Sequence, residues 1–161
     1  MNKKISIIVA AAENNAIGKD NKLLWHIPED LQRVKELTTG NYIVMGKNTF
    51  LSLENGPLRS RTNIVISDDK HDRFQGCVMA YFIEEAIEKM SDEKENFIFG
   101  GASIYKQFLP LAQKIYLTRV HDNYEADTFF PKINLYKWVE VEKETNINSA
   151  IPHTYYVYEK K

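Results

Sequence analysis

The chain has 161 residues, 43% of them apolar, which is enough to fill one core and short for two, so a single domain over 1–161 is expected. Lys and Arg number 21 against 22 Asp and Glu, a net charge of −1, so no overall field draws the chain to nucleic acid or to an anionic membrane. One cysteine, Cys77, excludes an internal disulfide and suits a reducing, cytoplasmic setting, where it reads as a small core hydrophobe.

Residues 5–12, β-branched at Ile5, Ile7, Ile8 and Val9, follow Lys3 and Lys4 and so imitate a short signal peptide. They read better as a buried strand, and they are too few to cross a bilayer. Residues 13–27 form a long polar connection holding Gly18, Asp20 and Asn21; a loop of that length in a small domain is usually functional. A helix starts at Pro28, whose fixed φ suits a first helical position, and runs to Gly40. Further strands are predicted at 41–46, 62–67, 76–80, 96–99, 113–121, 137–145 and 153–160, with helices at 47–53, 83–90 and 103–109. This alternation predicts an α/β fold: a central mixed eight-stranded sheet, mostly parallel, closed by an antiparallel C-terminal hairpin and flanked by four helices.

Three stretches carry candidate chemistry. Glu29 and Asp30 lie in the first turn of the first helix, where an acid serves either as a partner of the helix dipole or as a carboxylate facing a cleft. Leu23, Leu24 and Trp25 before them, and Leu31 and Val34 after, favour an apolar cleft for one of the two. A buried carboxylate persists when a ligand offers it donors, and paired N–H groups on a flat heterocycle match its two oxygens. Arg61 precedes a strand and is either a solvated surface arginine or a fork for a carboxylate, with Arg59 beside it as a decoy. Gly100-Gly101 follows the strand at 96–99 and leads into a helix at Ser103, which lets backbone N–H groups approach a pyrophosphate; taken alone the pair is an ordinary turn.

Taken together, Ala16-Ile17-Gly18, Leu23-Leu24-Trp25, Pro28-Glu29-Asp30-Leu31, Met45-Gly46-Lys47-Asn48-Thr49-Phe50, residues 61–67, Gly100-Gly101-Ala102-Ser103-Ile104-Tyr105, Tyr116-Leu117-Thr118 and Asp127-Thr128-Phe129-Phe130-Pro131 resemble, in order, the motifs of dihydrofolate reductases of the bacterial chromosomal type. The resemblance implies NADPH-dependent hydride transfer to C6 of dihydrofolate with protonation at N5, and it implies that antifolates such as trimethoprim and methotrexate bind. It gives the reacting edge to Asp30, Trp25, Thr118 and Leu23, with Thr118 supporting Asp30 through water and Trp25 holding an ordered water. Ile8, Leu31, Val34, Leu53, Leu58, Phe99 and Tyr105 then line the substrate slot, and Arg61 takes the glutamate-tail carboxylate. To the cofactor fall Ala10, Ile17, Gly18, Gly46, Lys47, Asn48, Thr49, Ser67, Asp68, Gly100, Gly101, Ala102, Ser103, Ile104, Tyr105 and Thr128, with a cis peptide between the two glycines and a lid over 16–22. No metal is implied, and a monomer is the default for a near-neutral chain of this size.

Departures from the pattern concern the cofactor and the cleft. Asp68 stands where many relatives offer a hydroxyl or a base to the ribose 2′-phosphate, and Ser103 where some carry arginine; Lys47 and Lys70 are the compensating cations. Leu24 replaces a frequent proline and Val34 a larger group, changes expected to loosen the cleft and alter antifolate affinity. A riboflavin-pathway reductase has no use for the helix acid together with the arginine, and a nucleotide-binding module without catalysis has no use for Asp30.

Overall fold

Residues 3–20 and 22–161 are described by a computed structural model; Met1, Asn2 and Asn21, the last named above in the long connection, lie outside the described residues. Strand β1 (Lys4–Ala12) is buried along nearly its whole length because its apolar run offers neither face to water. It lies mid-sheet between parallel β7 (Glu95–Gly100) and parallel β8 (Lys114–Val120). Beyond β7 follow β4 (Tyr42–Gly46), β5 (Thr62–Ile66) and β6 (Cys77–Ala80), all parallel. Beyond β8, β11 (His153–Lys160) runs antiparallel and pairs with the edge strand β10 (Trp138–Asn146). The order is therefore β10-β11-β8-β1-β7-β4-β5-β6, the predicted eight-stranded mixed sheet with its C-terminal hairpin. The β10 edge carries Glu140, Glu142, Lys143 and Glu144 on exposed positions, charges that discourage pairing with another chain.

Side chains on a strand alternate between faces, and the two apolar clusters divide accordingly. Ile7, Val9, Val44, Ile64, Ile98, Ile115 and Leu117 lie in one; Ile8, Ile43, Met45, Val65, Phe97 and Tyr116 lie in the other. Helices α3 (Ile83–Lys89) and α4 (Ala102–Phe108) cover the first face through Ala86, Ile104, Tyr105 and Phe108. Helices α1 (Pro28–Thr38) and α2 (Lys47–Leu51) cover the second through Val34, Leu37 and Phe50. Cys77 is half-buried against this second cluster.

The long connection contains structure that the sequence did not announce. Strands β2 (Ala16–Lys19) and β3 (Lys22–Leu23) form a small antiparallel sheet with β9 (Thr128–Phe129), in the order β3-β2-β9. Side chains and backbone reinforce this seam. Lys19 Nζ lies 2.8 Å from Glu125, the Asp20 N–H donates to Asp127 Oδ2 at 2.9 Å, and the Phe130 N–H donates to the Asn15 carbonyl at 2.8 Å. Gly18 sits within it, where a Cβ would lie 2.8 Å from Thr128 Oγ1.

Candidate active site

The site begins where the sheet splits. β1 pairs with β7 only as far as Ile7 and Ile98, whereas its pairing with β8 continues to Ala12 and Val120. Past Ile7 the sheet opens at the carboxyl ends of parallel strands, the usual place for a ligand crevice in such sheets. The Tyr105 hydroxyl, buried between them, lies 2.8 Å from both the Ile8 and Phe99 carbonyls and serves the acceptors at the mouth of the split. Burial pushes the Tyr105 phenol far up, so it remains a neutral donor. The Gly100–Gly101 peptide at the end of β7 is cis.

Gly100 has φ +108°, and a Cβ there would fall 2.9 Å from the Tyr105 ring. Gly100→Ala is therefore expected to destabilise the fold by about 2–4 kcal/mol, through left-handed strain and overpacking. A urea unfolding midpoint indistinguishable from the parent would refute this.

The crevice widens into one cleft of about 1430 Å³ that runs from α1 to α4. Leu23, Leu31, Phe82 and Leu111 line it while remaining exposed, an accumulation of uncovered large apolar side chains that marks a ligand surface. At its α1 end Asp30 is the one carboxyl among Ile8, Leu31, Val34, Phe99, Tyr105 and Thr118. The Thr118 hydroxyl, buried on β8, donates to Asp30 Oδ1 at 2.6 Å. Desolvation raises the Asp30 pKa; the Thr118 hydrogen bond and then the Arg33 and His153 charges partly oppose it. Its neighbour Glu29 points elsewhere, bonded to the Ser149 hydroxyl and held low by that bond, which resolves the choice between the two helix acids.

Arg61 stands on the same side of the cleft. Its Nε donates to the Arg59 carbonyl at 2.9 Å, and one terminal nitrogen donates to Thr38 Oγ1 at 3.1 Å, which fixes the guanidinium plane. Among the described residues no carboxylate pairs with it. The side chain of Arg59 is not on the lining. Leu58 is held in place by the buried Asn63, whose amide accepts from the Leu58 N–H at 3.0 Å and donates to the Leu58 carbonyl at 2.9 Å.

The other half of the cleft is framed by the starts of α2 and α4 and the end of β5. Gly46, Lys47, Asn48 and Thr49 come from the first, Gly101, Ala102, Ser103 and Ile104 from the second, and Ser67 and Asp68 from the third. A Cβ on Gly101 would come within 3.6 Å of Thr49 Oγ1, so the two helix entries face each other closely. Phosphate oxygens laid here would meet main-chain N–H groups from both sides. These residues therefore fit a dinucleotide.

The dihydrofolate reductase family model matches residues 4–160. The chain belongs to the dihydrofolate reductase family. It is 41% identical over 160 residues to the dihydrofolate reductase of Staphylococcus haemolyticus, covering 98% of this chain and 96% of the relative. With that of Bacillus subtilis the identity is 36% over 160 residues, at 98% and 95% coverage. Among solved structures, the Enterococcus faecalis dihydrofolate reductase complexed with NADP(H) and RAB-propyl superposes with a TM-score of 0.91 at 31% identity, covering 100% of this chain and 98% of that one.

Of the residues that the family resemblance singles out, all but two line this one cleft. Trp25 does not: its half-buried ring packs edge-on against Tyr124 at 5.2 Å, and its buried indole N–H has no partner among the described residues. Gly100 does not either, because it backs onto the Tyr105 ring and contributes through the backbone behind the lining. Two finer expectations need correction. Thr118 contacts Asp30 directly, since β8 and α1 approach closely enough for the hydroxyl to reach the carboxylate without an intermediary. Lys47 is not a free counter-charge to Asp68, because its Nζ lies 2.8 Å from Asp72 Oδ2, and Lys70 is exposed and off the lining. Asn63 and Asp72 escaped the sequence reading. The signal for Asn63 was a lone amide inside an apolar strand; Asp72, in a run of charged residues, gave none.

Proposed function

We propose that this chain reduces 7,8-dihydrofolate to 5,6,7,8-tetrahydrofolate at the expense of NADPH, with the pterin ring in the α1 half of the cleft and the cofactor in the other half. The observation that carries this reading is the Asp30 carboxylate, withdrawn from water in an apolar slot and anchored by Thr118. Its second oxygen is left for donors of a flat heterocycle, and its charge favours the protonated pterin over the neutral one, which makes C6 the better hydride acceptor. Leu31, Val34, Leu53, Leu58 and Phe99 pack the rings, and Arg61 takes the carboxylate of the glutamate tail through its planar fork. Trp25, packed on Tyr124 outside the lining, supports the cleft from behind and makes no direct contact with the pterin.

When bound, NADPH supplies the hydride. Ala10, Ile17 and Gly18 would hold the nicotinamide ring, and Leu23 with β2 and β3 would exclude water from the reacting edge. The backbones of Lys47, Asn48, Thr49, Gly101, Ala102, Ser103 and Ile104 hold the phosphates, while Ser67, Asp68 and Thr128 complete that half. The enzyme works as a cytoplasmic monomer of one domain and takes diaminopyrimidine and pteridine antifolates such as trimethoprim and methotrexate in the pterin slot. No helix among the described residues is long and apolar enough to cross a membrane.

Purified protein is expected to oxidise NADPH, followed by the loss of absorbance near 340 nm, only when dihydrofolate is added. Folded protein with no rate above background would refute the proposal.

A further inference from the structure

We propose that Asp72 competes, as an internal carboxylate, with the cofactor's 2′-phosphate for Lys47 and Ser67, so that the preference for NADPH over NADH depends on the contest between two anions. The inference rests on the reading that NADPH occupies this half of the cleft. Lys47 and Ser67 both line the cleft, and both are committed to one oxygen that reaches them from behind it. Lys47 Nζ lies 2.8 Å from Asp72 Oδ2, and the Ser67 hydroxyl donates to the same oxygen at 2.5 Å.

The carboxylate is fixed in that position. The Asp72 N–H donates to the Asp69 carbonyl at 3.0 Å, and the Asp69 N–H donates to Ser67 Oγ at 3.1 Å. The Asp72 carbonyl accepts from the Tyr81 hydroxyl at 2.9 Å and from Arg73 at 2.8 Å. The bonds to Lys47 and Ser67 hold the Asp72 carboxyl below its ordinary range, so it is an anion at neutral pH.

Among the described residues the next charge acting on that anion is His71, more weakly than Lys47. The other charges on the lining here, Asp68 and Glu84, are negative. Arg73 is spent on backbone carbonyls and on the Tyr81 ring, 5.3 Å away. A phosphate arriving at Lys47 must therefore share one ammonium with a carboxylate already in contact with it, or displace that carboxylate. A 2′-hydroxyl meets no such rival, and it can itself donate to a carboxylate. The same acids that penalise the phosphate leave NADH untouched.

Asp72→Asn removes the negative charge while its amide oxygen can still accept from Ser67. Isothermal titration calorimetry with NADPH and NADH, on the parent and on this variant, is expected to show NADPH binding three- to tenfold tighter in the variant and NADH unchanged within twofold. In an Asp72→Asn, Lys47→Met double variant the gain should vanish. Should Asp72→Asn fail to fold by circular dichroism, Asp72→Ser is measured in its place with the same expectation. NADPH affinity unchanged or weakened, or both cofactors shifting equally, overturns the inference and leaves the cofactor assignment standing. Failure of the parent to bind either cofactor overturns the assignment itself.

Discussion

Asp30→Asn is expected to give a folded protein whose turnover of dihydrofolate falls by about 10²–10⁴-fold, the usual range for removing a group that assists proton transfer. The amide keeps the volume and can still accept from the Thr118 hydroxyl, so the slot persists while its charge does not. Without that charge the protonated pterin is no longer favoured inside the cleft, and the loss is expected to shrink as pH is lowered and solution supplies the proton instead. The stability of the parent carries the opposite sign. Burial raises the Asp30 pKa in the folded state, so ionising it there costs more than in the unfolded chain. That cost is absent below the unfolded value of 3.8 and grows as pH rises through the raised folded value. At neutral pH Asp30→Asn should thus unfold at a urea concentration equal to or above that of the parent. Unchanged turnover across pH 5–8 would remove Asp30 from the mechanism; a drop in stability at pH 7 would contradict the account of its burial.

Arg61→Met should act on binding rather than on chemistry. The guanidinium is oriented by Thr38 and by the Arg59 carbonyl, so a tail carboxylate meets a fork that is already set. Losing a partly desolvated pairing of this kind costs about 2–4 kcal/mol, or roughly 30- to 1000-fold in the KM for dihydrofolate, with kcat nearly kept. A pterin substrate lacking the glutamate tail provides the internal control, since its KM should not respond. Equal weakening of the two substrates would mean that Arg61 shapes the cleft instead of holding the tail.

Much of this architecture is legible in the residues. The β-branched runs at Ile5–Val9 and Thr62–Ile66, Pro28 at a helix start and the Gly100-Gly101 break each carry a local physical preference strong enough to survive tertiary context. What escaped depends on distance along the chain. β2, β3 and β9 have four, two and two residues, too few for any periodicity; β2 and β3 pair locally, and β9 joins them from the opposite half of the chain. Lys47 reads as a free cation until folding brings Asp72 to it from beyond β5. The direct bond from Thr118 to Asp30 likewise joins residues 88 positions apart, and only the packing of α1 over β8 fixes its length.

The seam between β2 and β9 ties the mouth of the cleft to a stretch of chain more than a hundred positions away. Loosening that mouth therefore means parting β2 from β9. A change at Glu125 or Asp127, neither of which lines the cleft, is expected to alter how firmly that mouth is held.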